Sequence, residues 1–383
     1  MVKKTKSSGS KTKNTIVFAP VKWLKSLARW IWNGTIWRKA LVILIALAIL
    51  VTGVFYSIAE WYIHRHDTEP LVLGTSFVED YATSFGLDPK QTLNAILGEL
   101  GLKQVRLVSY WKDIEKTPGQ YDFSDLDWQF AMANKYGSKV SLAIGLRQPR
   151  WPECHEPDWI TIGAANKNQW QPKLYNYMTA VINRYKDNPA LQDYELENEF
   201  FMKVFGECKD FDRSRLVHEF NLVKQLDSKH DVIISRSNNW YGIPVNQPTP
   251  DRFAISIYKR VWDNFITKRY FEYPLPPWFY ASLAGSEELL SGRDMIIHEL
   301  QAEPWGPNGQ EIPKISVNEQ FKSMNAERLK KRIEYGKDTG MRTIDLWGAE
   351  WWYWLKVKQN DPSVWNVVRT AVVKADIENQ GLK

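Results

Sequence analysis

The sequence predicts an α/β protein, a (β/α)8 TIM barrel preceded by a single N-terminal transmembrane helix. Two observations predict the barrel. After Pro70 the chain alternates short apolar runs with amphipathic stretches, and eight such runs fit between residues 71 and 348. The runs are rich in Val, Ile and Leu without strict alternation, as suits parallel strands buried on both faces. A third observation predicts the helix. Residues 40–59 contain no charge over twenty positions, enough to cross the hydrocarbon core of a bilayer.

The elements follow in order. Residues 1–39 hold ten Lys and Arg and no Asp or Glu. That tail accounts for the formal charge of +6, because beyond it acids outnumber bases. A nucleic-acid partner is therefore not expected. In "VKWLKSLARWIWNGTIWRK" Trp mixes with Lys and Arg, the pattern of a helix lying on an anionic membrane face. Residues 40–59 lack the polar stripe of a core helix. With basic residues before and Glu60 after, the positive-inside rule makes 1–39 a cytoplasmic tail and 40–59 the anchor, and exports the rest. "SIA" before Glu60 also fits a signal-peptide cleavage site, but the basic region is long for a signal peptide. Residues 60–69 read as a linker and 70–383 as the barrel domain.

The expected strands are 71–77, 104–111, 139–146, 191–200, 231–237, 252–258, 294–301 and 342–348. Between them, "DPKQTLNAILGELG" opens with an Asp cap and "KLYNYMTAVINRYKDNP" stops at Pro189. "NEQFKSMNAERLKKRIEYGKDTG" reads as one helix closed by Gly340. The segment 238–251 is too short and Pro-rich for a full helix. A doubly wound sheet is the alternative, but it needs neither eight strands nor functional groups at so many strand ends.

A barrel of this kind binds its ligands at the carboxyl ends of its strands. Those ends carry Arg106 and Trp111, Arg147 and Trp151, Asn198 and Glu199, Trp240, Tyr258, Glu299, and Trp347 with Glu350 and Trp351. Indole faces stack on pyranose rings, while amides and carboxylates bond the hydroxyls. Strands four and seven lie nearly opposite, so Glu199 and Glu299 can reach the ~5–5.5 Å separation of a retaining glycosidase pair. Arg106 and Tyr258 would keep one carboxylate ionised, and an apolar wall would raise the pKa of the other. Glu303, beside Trp305, reads as a contact to a neighbouring sugar.

Plainer roles are expected elsewhere. Glu195 and Glu197 read as structural, paired with basic residues of the barrel floor. Strict alternation would send Asn198 and Glu199 to opposite faces, so the strand must end or bulge there. Trp170 and Trp365 read as packing. His155 and His298 lack ligand spacing, so neither metal nor cofactor is expected. Cys154 and Cys208 follow strands three and four, whose loops are neighbours, and outside the cytoplasm they can form a disulfide.

Three segments resemble known families. "YELENEF" (194–200) resembles the strand-four signature of clan A glycoside hydrolases such as the cellulase-like family 5. "VRLVSYWKDIEKTPGQYDFSDLDW" (105–128) resembles the second βα unit of the family 42 β-galactosidases and family 39 β-xylosidases. "HELQAEPW" (298–305) is similar to the nucleophile segment of family 42. The resemblance covers about residues 70–370. It implies Glu199 as acid/base, Asn198 as ligand of the sugar 2-hydroxyl and Glu299 as nucleophile. Arg106 and Tyr258 would bond that nucleophile, with Trp347 as floor. The expectation is a membrane-anchored retaining β-glycoside hydrolase acting on an extracytoplasmic oligo- or polysaccharide. A transglycosidase and an inactive carbohydrate-binding barrel are the alternatives.

Overall fold

The computed structural model describes residues 26, 29, 30, 32–237 and 247–382. The chain divides into two compact units, Met1–Phe55 and Tyr56–Lys383. One helix, Ile36–His66, crosses the division. Its most apolar window has a mean hydropathy of 2.7 and no buried residue, so it is long and apolar enough to cross a membrane.

The last turns of this helix belong to the barrel unit. Ala59 and Tyr62, three apart and so on one face, are both buried. The Tyr62 hydroxyl donates to Asp294 at 2.8 Å, and His66 bonds Glu69 and Glu288 at 2.9 and 2.8 Å. Residues 60–66 are therefore a docked helix, not the linker expected there, because their one buried face has partners to pack on.

Eight strands form the barrel: β1 (Val72–Phe77), β2 (Gln104–Val108), β3 (Lys139–Ile144), β4 (Leu191–Leu196), β5 (Asp231–Ser237), β6 (Arg252–Ile257), β7 (Met295–Gln301) and β8 (Thr343–Trp347). They close in consecutive order, with every pair parallel. The (β/α)8 architecture expected from the sequence is thus observed.

Contrary to expectation, the strands alternate, but between two buried environments. In β2, Val105 and Leu107 join the apolar layer under the helices, while Gln104 and Arg106 turn inward. The interior is polar: Arg106, Glu195, Ser235, His298 and Asp345 bond one another there. A small cluster of Ile233, Ala254 and Ile296 is apolar inside. Because both sides are dry, every inward polar group needs a partner, and this requirement ties the strands together.

Three local features set the mouth. In β7 the register shifts between Ile297 and Glu299, a bulge that lets successive residues face inward. His298 then reaches Asp345 at 2.7 Å, while Glu299 reaches Arg106. β4 stops at Leu196 and the chain winds tightly, with Glu197 and Glu199 both at positive φ (56° and 43°). The strand therefore ends before Asn198 instead of continuing to residue 200. Thirdly, a hairpin of Arg260–Trp262 against Tyr270–Glu272 follows β6. Its charged and aromatic sequence gave no strand signal.

Among the helices, Asp88 caps Pro89–Gly98 by accepting from the Gln91 amide at 2.7 Å, as expected. The single helix expected over 318–340 is two, Val317–Ser323 and Ala326–Lys337. Asn325 caps the second, its side chain accepting from Arg328 at 3.0 Å, which forces a break there. Cys154 and Cys208 form the expected disulfide. Residues 238–246 lie outside the described residues.

Candidate active site

Arg106 is the hub of the mouth. It is fully buried, and its Nε and Nη2 each donate to Glu195 at 2.7 Å. Nη1 donates to Glu299 Oε1 at 2.6 Å, and Nη2 also reaches Asn198 Oδ1 at 2.8 Å. Burial alone would lower the guanidinium pKa, but Glu195 and Glu299 more than offset it and raise it overall. Tyr258, one residue beyond β6, donates its hydroxyl to Glu299 Oε2 at 2.6 Å. Both oxygens of Glu299 thus accept a hydrogen bond, one of them from a charged donor, and its orientation is fixed.

Glu199 is held differently. Its backbone amide donates to Ser235 Oγ at 2.9 Å, which pins the turn. Its side chain is nearly buried, and Oε1 has no hydrogen-bond partner among the described residues. Burial, then the nearby charges of Glu299 and Glu153, push the Glu199 pKa up to about 8. At neutral pH it is mostly a protonated acid.

Asn198 lies between the two. Its Nδ2 donates to Glu153 Oε2 at 2.9 Å, and its carbonyl accepts from Arg147 Nε at 2.7 Å. Glu153 is a third carboxylate at the mouth, and burial is the main reason its pKa rises to about 7. It sits at φ 74° in the loop after β3, one residue before the bridged Cys154. Sequence reasoning missed it; the adjacent cysteine was the available signal.

A second polar cluster adjoins the first through Trp347, whose ring lies near both Arg106 and Arg150. Arg150 lies over the Trp347 ring at 4.3 Å and donates to Glu303 at 2.9 and 3.3 Å. Tyr81 donates to the same carboxylate at 2.9 Å. Glu350 approaches Arg150 at 3.9 Å and accepts from the Val78 amide at 2.6 Å, with its pKa pushed up to about 7, chiefly by burial. The Cα of Gly348 lies so close that a Cβ there would meet Glu303 Cβ at 2.4 Å. Arg150 and Tyr81 were also missed by sequence reasoning.

The tryptophans separate into two groups. Trp347 is 6% exposed at the end of β8, and Trp305 packs edge-on to Tyr258 at 5.6 Å. Trp151, 60% exposed, stands on the rim beside Phe205. Trp111 and Trp351, expected as sugar contacts, have no exposed surface. Their ring nitrogens donate to Glu115 and Gln320, both at 2.6 Å. Each already lies in a helix, where the side chain turns back into the core. Trp240 lies outside the described residues.

Glu195 and Glu197 pair with arginines, though not on the barrel floor. Glu195 holds Arg106, and Glu197 bonds Arg215 at 2.8 Å and the Leu146 amide at 2.5 Å. Arg215 belongs to the helix after β4, Arg213–Leu226, so this pairing secures the mouth. Among the described residues no group of His, Cys, Asp and Glu is arranged to hold a metal ion.

With this geometry in view, the similarities to known proteins can be placed on it. Residues 90–273 match the family model Glyco_hydro_42, described as beta-galactosidase. The matched segment includes Arg106, Asn198, Glu199 and Tyr258 and ends before Glu299. A β-galactosidase of Haloferax lucentense is 25% identical over 120 residues, which are 27% of this chain and 18% of that protein. The chain thus aligns with less than a fifth of that relative's length. A family 5 glycoside hydrolase, GH5_18, of Bifidobacterium longum subsp. infantis is similar in structure at a TM-score of 0.50. It is 12% identical, covering 73% of this chain and 69% of its own. An exo-beta-1,4-mannosidase of an Opitutaceae bacterium also scores 0.50, at 14% identity, covering 72% of this chain and 51% of its own. These structures share the barrel fold with this chain.

Proposed function

We propose that the protein is a retaining β-glycoside hydrolase, with Glu299 as nucleophile and Glu199 as acid/base. One observation carries this reading. Of two carboxylates close enough to influence each other, Glu299 accepts from Arg106 and Tyr258, while Glu199 Oε1 has no partner among the described residues and its pKa lies near 8. Double displacement needs this division, an oriented carboxylate to attack the anomeric carbon and a protonated acid to serve the leaving oxygen. After the first step Glu199 is a carboxylate and takes the proton of the incoming water, which releases the sugar from Glu299. Asn198 would bond the 2-hydroxyl, and Trp347 would lie under the ring, with Trp305 and Trp151 as outer surfaces. Glu303, held by Arg150, would contact the neighbouring sugar. No cofactor enters these steps.

The substrate is an oligo- or polysaccharide outside the cytoplasm, with residues 40–59 as a single-pass anchor and the N-terminus cytoplasmic. The Cys154–Cys208 bridge supports export, because structural disulfides persist in oxidising compartments.

Glu199→Ala tests the roles directly. It should lose hydrolysis of natural glycans, retain the first step on aryl glycosides with good leaving groups, and regain turnover with azide, which needs no general base. A 2-deoxy-2-fluoro glycoside should label Glu299 in the trapped enzyme by peptide mass spectrometry. Lack of azide rescue, or a label on Glu303, would overturn the assignment.

A further inference from the structure

The hairpin after β6 shows an unusual surface. Its tip exposes Phe265 at 91% and Ile266 at 88%, and Phe271 on the return strand is 46% exposed. The tip is built to hold this shape: the Asp263 carboxylate accepts from the backbone amides of Phe265, Ile266 and Thr267 at 2.9, 3.2 and 2.6 Å. Its base is tied to the mouth, since Gln301 at the end of β7 accepts from the Lys259 and Arg260 amides at 3.1 and 2.9 Å. The hairpin therefore stands on the same face as Glu199 and Glu299.

Beside the tip lies a groove of about 720 Å³ whose lining includes Lys268, Arg269, Lys314, Lys322 and Glu319. Lys322 and Lys314 have carboxylate neighbours in Glu319 and Glu311, at 2.6 and 2.7 Å. No carboxylate pairs with Lys268 or Arg269 among the described residues, and both are exposed. Two apolar side chains held out in solvent next to unneutralised cations match a leaflet of anionic lipid, hydrocarbon meeting the tip and headgroups the groove.

We propose that the Phe265–Ile266 tip enters a bilayer containing anionic lipid, with Lys268 and Arg269 on the headgroups, so that the mouth works on glycans attached to that membrane. A soluble polyanion would use the cations but has no use for Phe265 and Ile266. Leu290, 86% exposed near the end of the helix Pro277–Ser291, is an exposed apolar side chain at the base of the barrel, on the face opposite the mouth. The substrate half of the inference rests on the glycosidase reading; the bilayer half does not.

The test uses the full chain in liposomes. Both native cysteines are bridged, so Ile266→Cys carries the single reactive thiol for a bimane label, and Leu290→Cys serves as control. In vesicles containing phosphatidylglycerol, the label at 266 should shift to the blue, be quenched by acyl-chain nitroxide lipid and be shielded from iodide. The label at 290 should stay open to iodide. Lys268→Glu with Arg269→Glu should abolish the blue shift. A label at 266 as accessible to iodide as that at 290, or one shielded by soluble dextran sulfate and not by vesicles, overturns the proposal.

Activity separates the two halves. Phe265→Ser with Ile266→Ser should leave kcat/KM on a soluble aryl glycoside unchanged and lower hydrolysis of a lipid-linked oligosaccharide in the same vesicles at least tenfold. Equal rates on the lipid-linked substrate would overturn the substrate half. Lipid quenching without hydrolysis of any glycoside would instead count against the glycosidase reading and leave the bilayer contact standing.

Discussion

The two carboxylates of the mouth are supported by opposite means. Glu299 sits on a bulged strand and accepts from a buried arginine and a tyrosine. Glu199 sits on a turn at positive φ, and its Oε1 meets no donor among the described residues. Two residues earlier on the same turn, Glu197 is saturated by Arg215 and the amides of Leu146 and Arg147. The same residue type thus takes three states according to the donors around it. Burial lowers the stability of a charge, and donors restore it. Glu199 becomes an acid because it is buried near Glu299 and Glu153, while Arg215 and the amides after β3 serve Glu197 instead.

The largest expected effect breaks the comparison outright. Glu299→Gln keeps the size of the side chain and its contacts with Arg106 and Tyr258, but it cannot attack. The expected loss in kcat is on the order of 10⁴-fold or more. The same change also removes a negative charge beside Glu199, whose pKa should fall from about 8. Carboxyl-labelled NMR titration of the inactive variant measures that fall without substrate. An unchanged Glu199 titration would mean that Glu299 does not influence it.

Tyr258→Phe is a smaller perturbation of the same wall. It removes the donor to Glu299 Oε2 and leaves Arg106 on Oε1. A hydrogen bond to a charged group contributes about 1.5–3 kcal/mol, so kcat/KM should fall roughly 10- to 150-fold, by steady-state kinetics on an aryl glycoside. A loss as deep as that of Glu299→Gln would give the phenol a chemical role beyond positioning.

What the sequence revealed of this site follows a physical line. Arg106 and Tyr258 were legible because each lies in or next to a strand, where the alternating pleat fixes its direction, and Glu299 because it lies inside the apolar run of β7. Beyond a strand end that rule lapses. Trp111 and Trp351 were misread three and four residues past their strands, where a helix had begun and turned the ring inward. Arg150 and Glu153, at φ 79° and 74°, owe their positions to a loop path and a disulfide that no periodicity encodes. The polar barrel interior was present in the sequence as alternation in β2, and was hidden because both faces are buried.

The smallest expected effect sharpens the comparison from the side of Glu199. With Glu199 titrating near 8, activity dependent on its proton should decline on the alkaline side of about pH 8. Glu153 is one cause of that position, since its charge disfavours a second charge on Glu199. Glu153→Gln removes the charge and can still accept from Asn198. Glu199 should then lose its proton at lower pH, so the alkaline limb of kcat/KM moves toward acid and the acid-side rate stays as it was. A shift of half a unit would lower the rate at alkaline pH roughly threefold. A purely structural role for Glu153 would instead lower the rate evenly across the pH range, together with the melting temperature. The shape of the profile, more than its height, therefore distinguishes a carboxylate that tunes the acid from one that only holds Asn198.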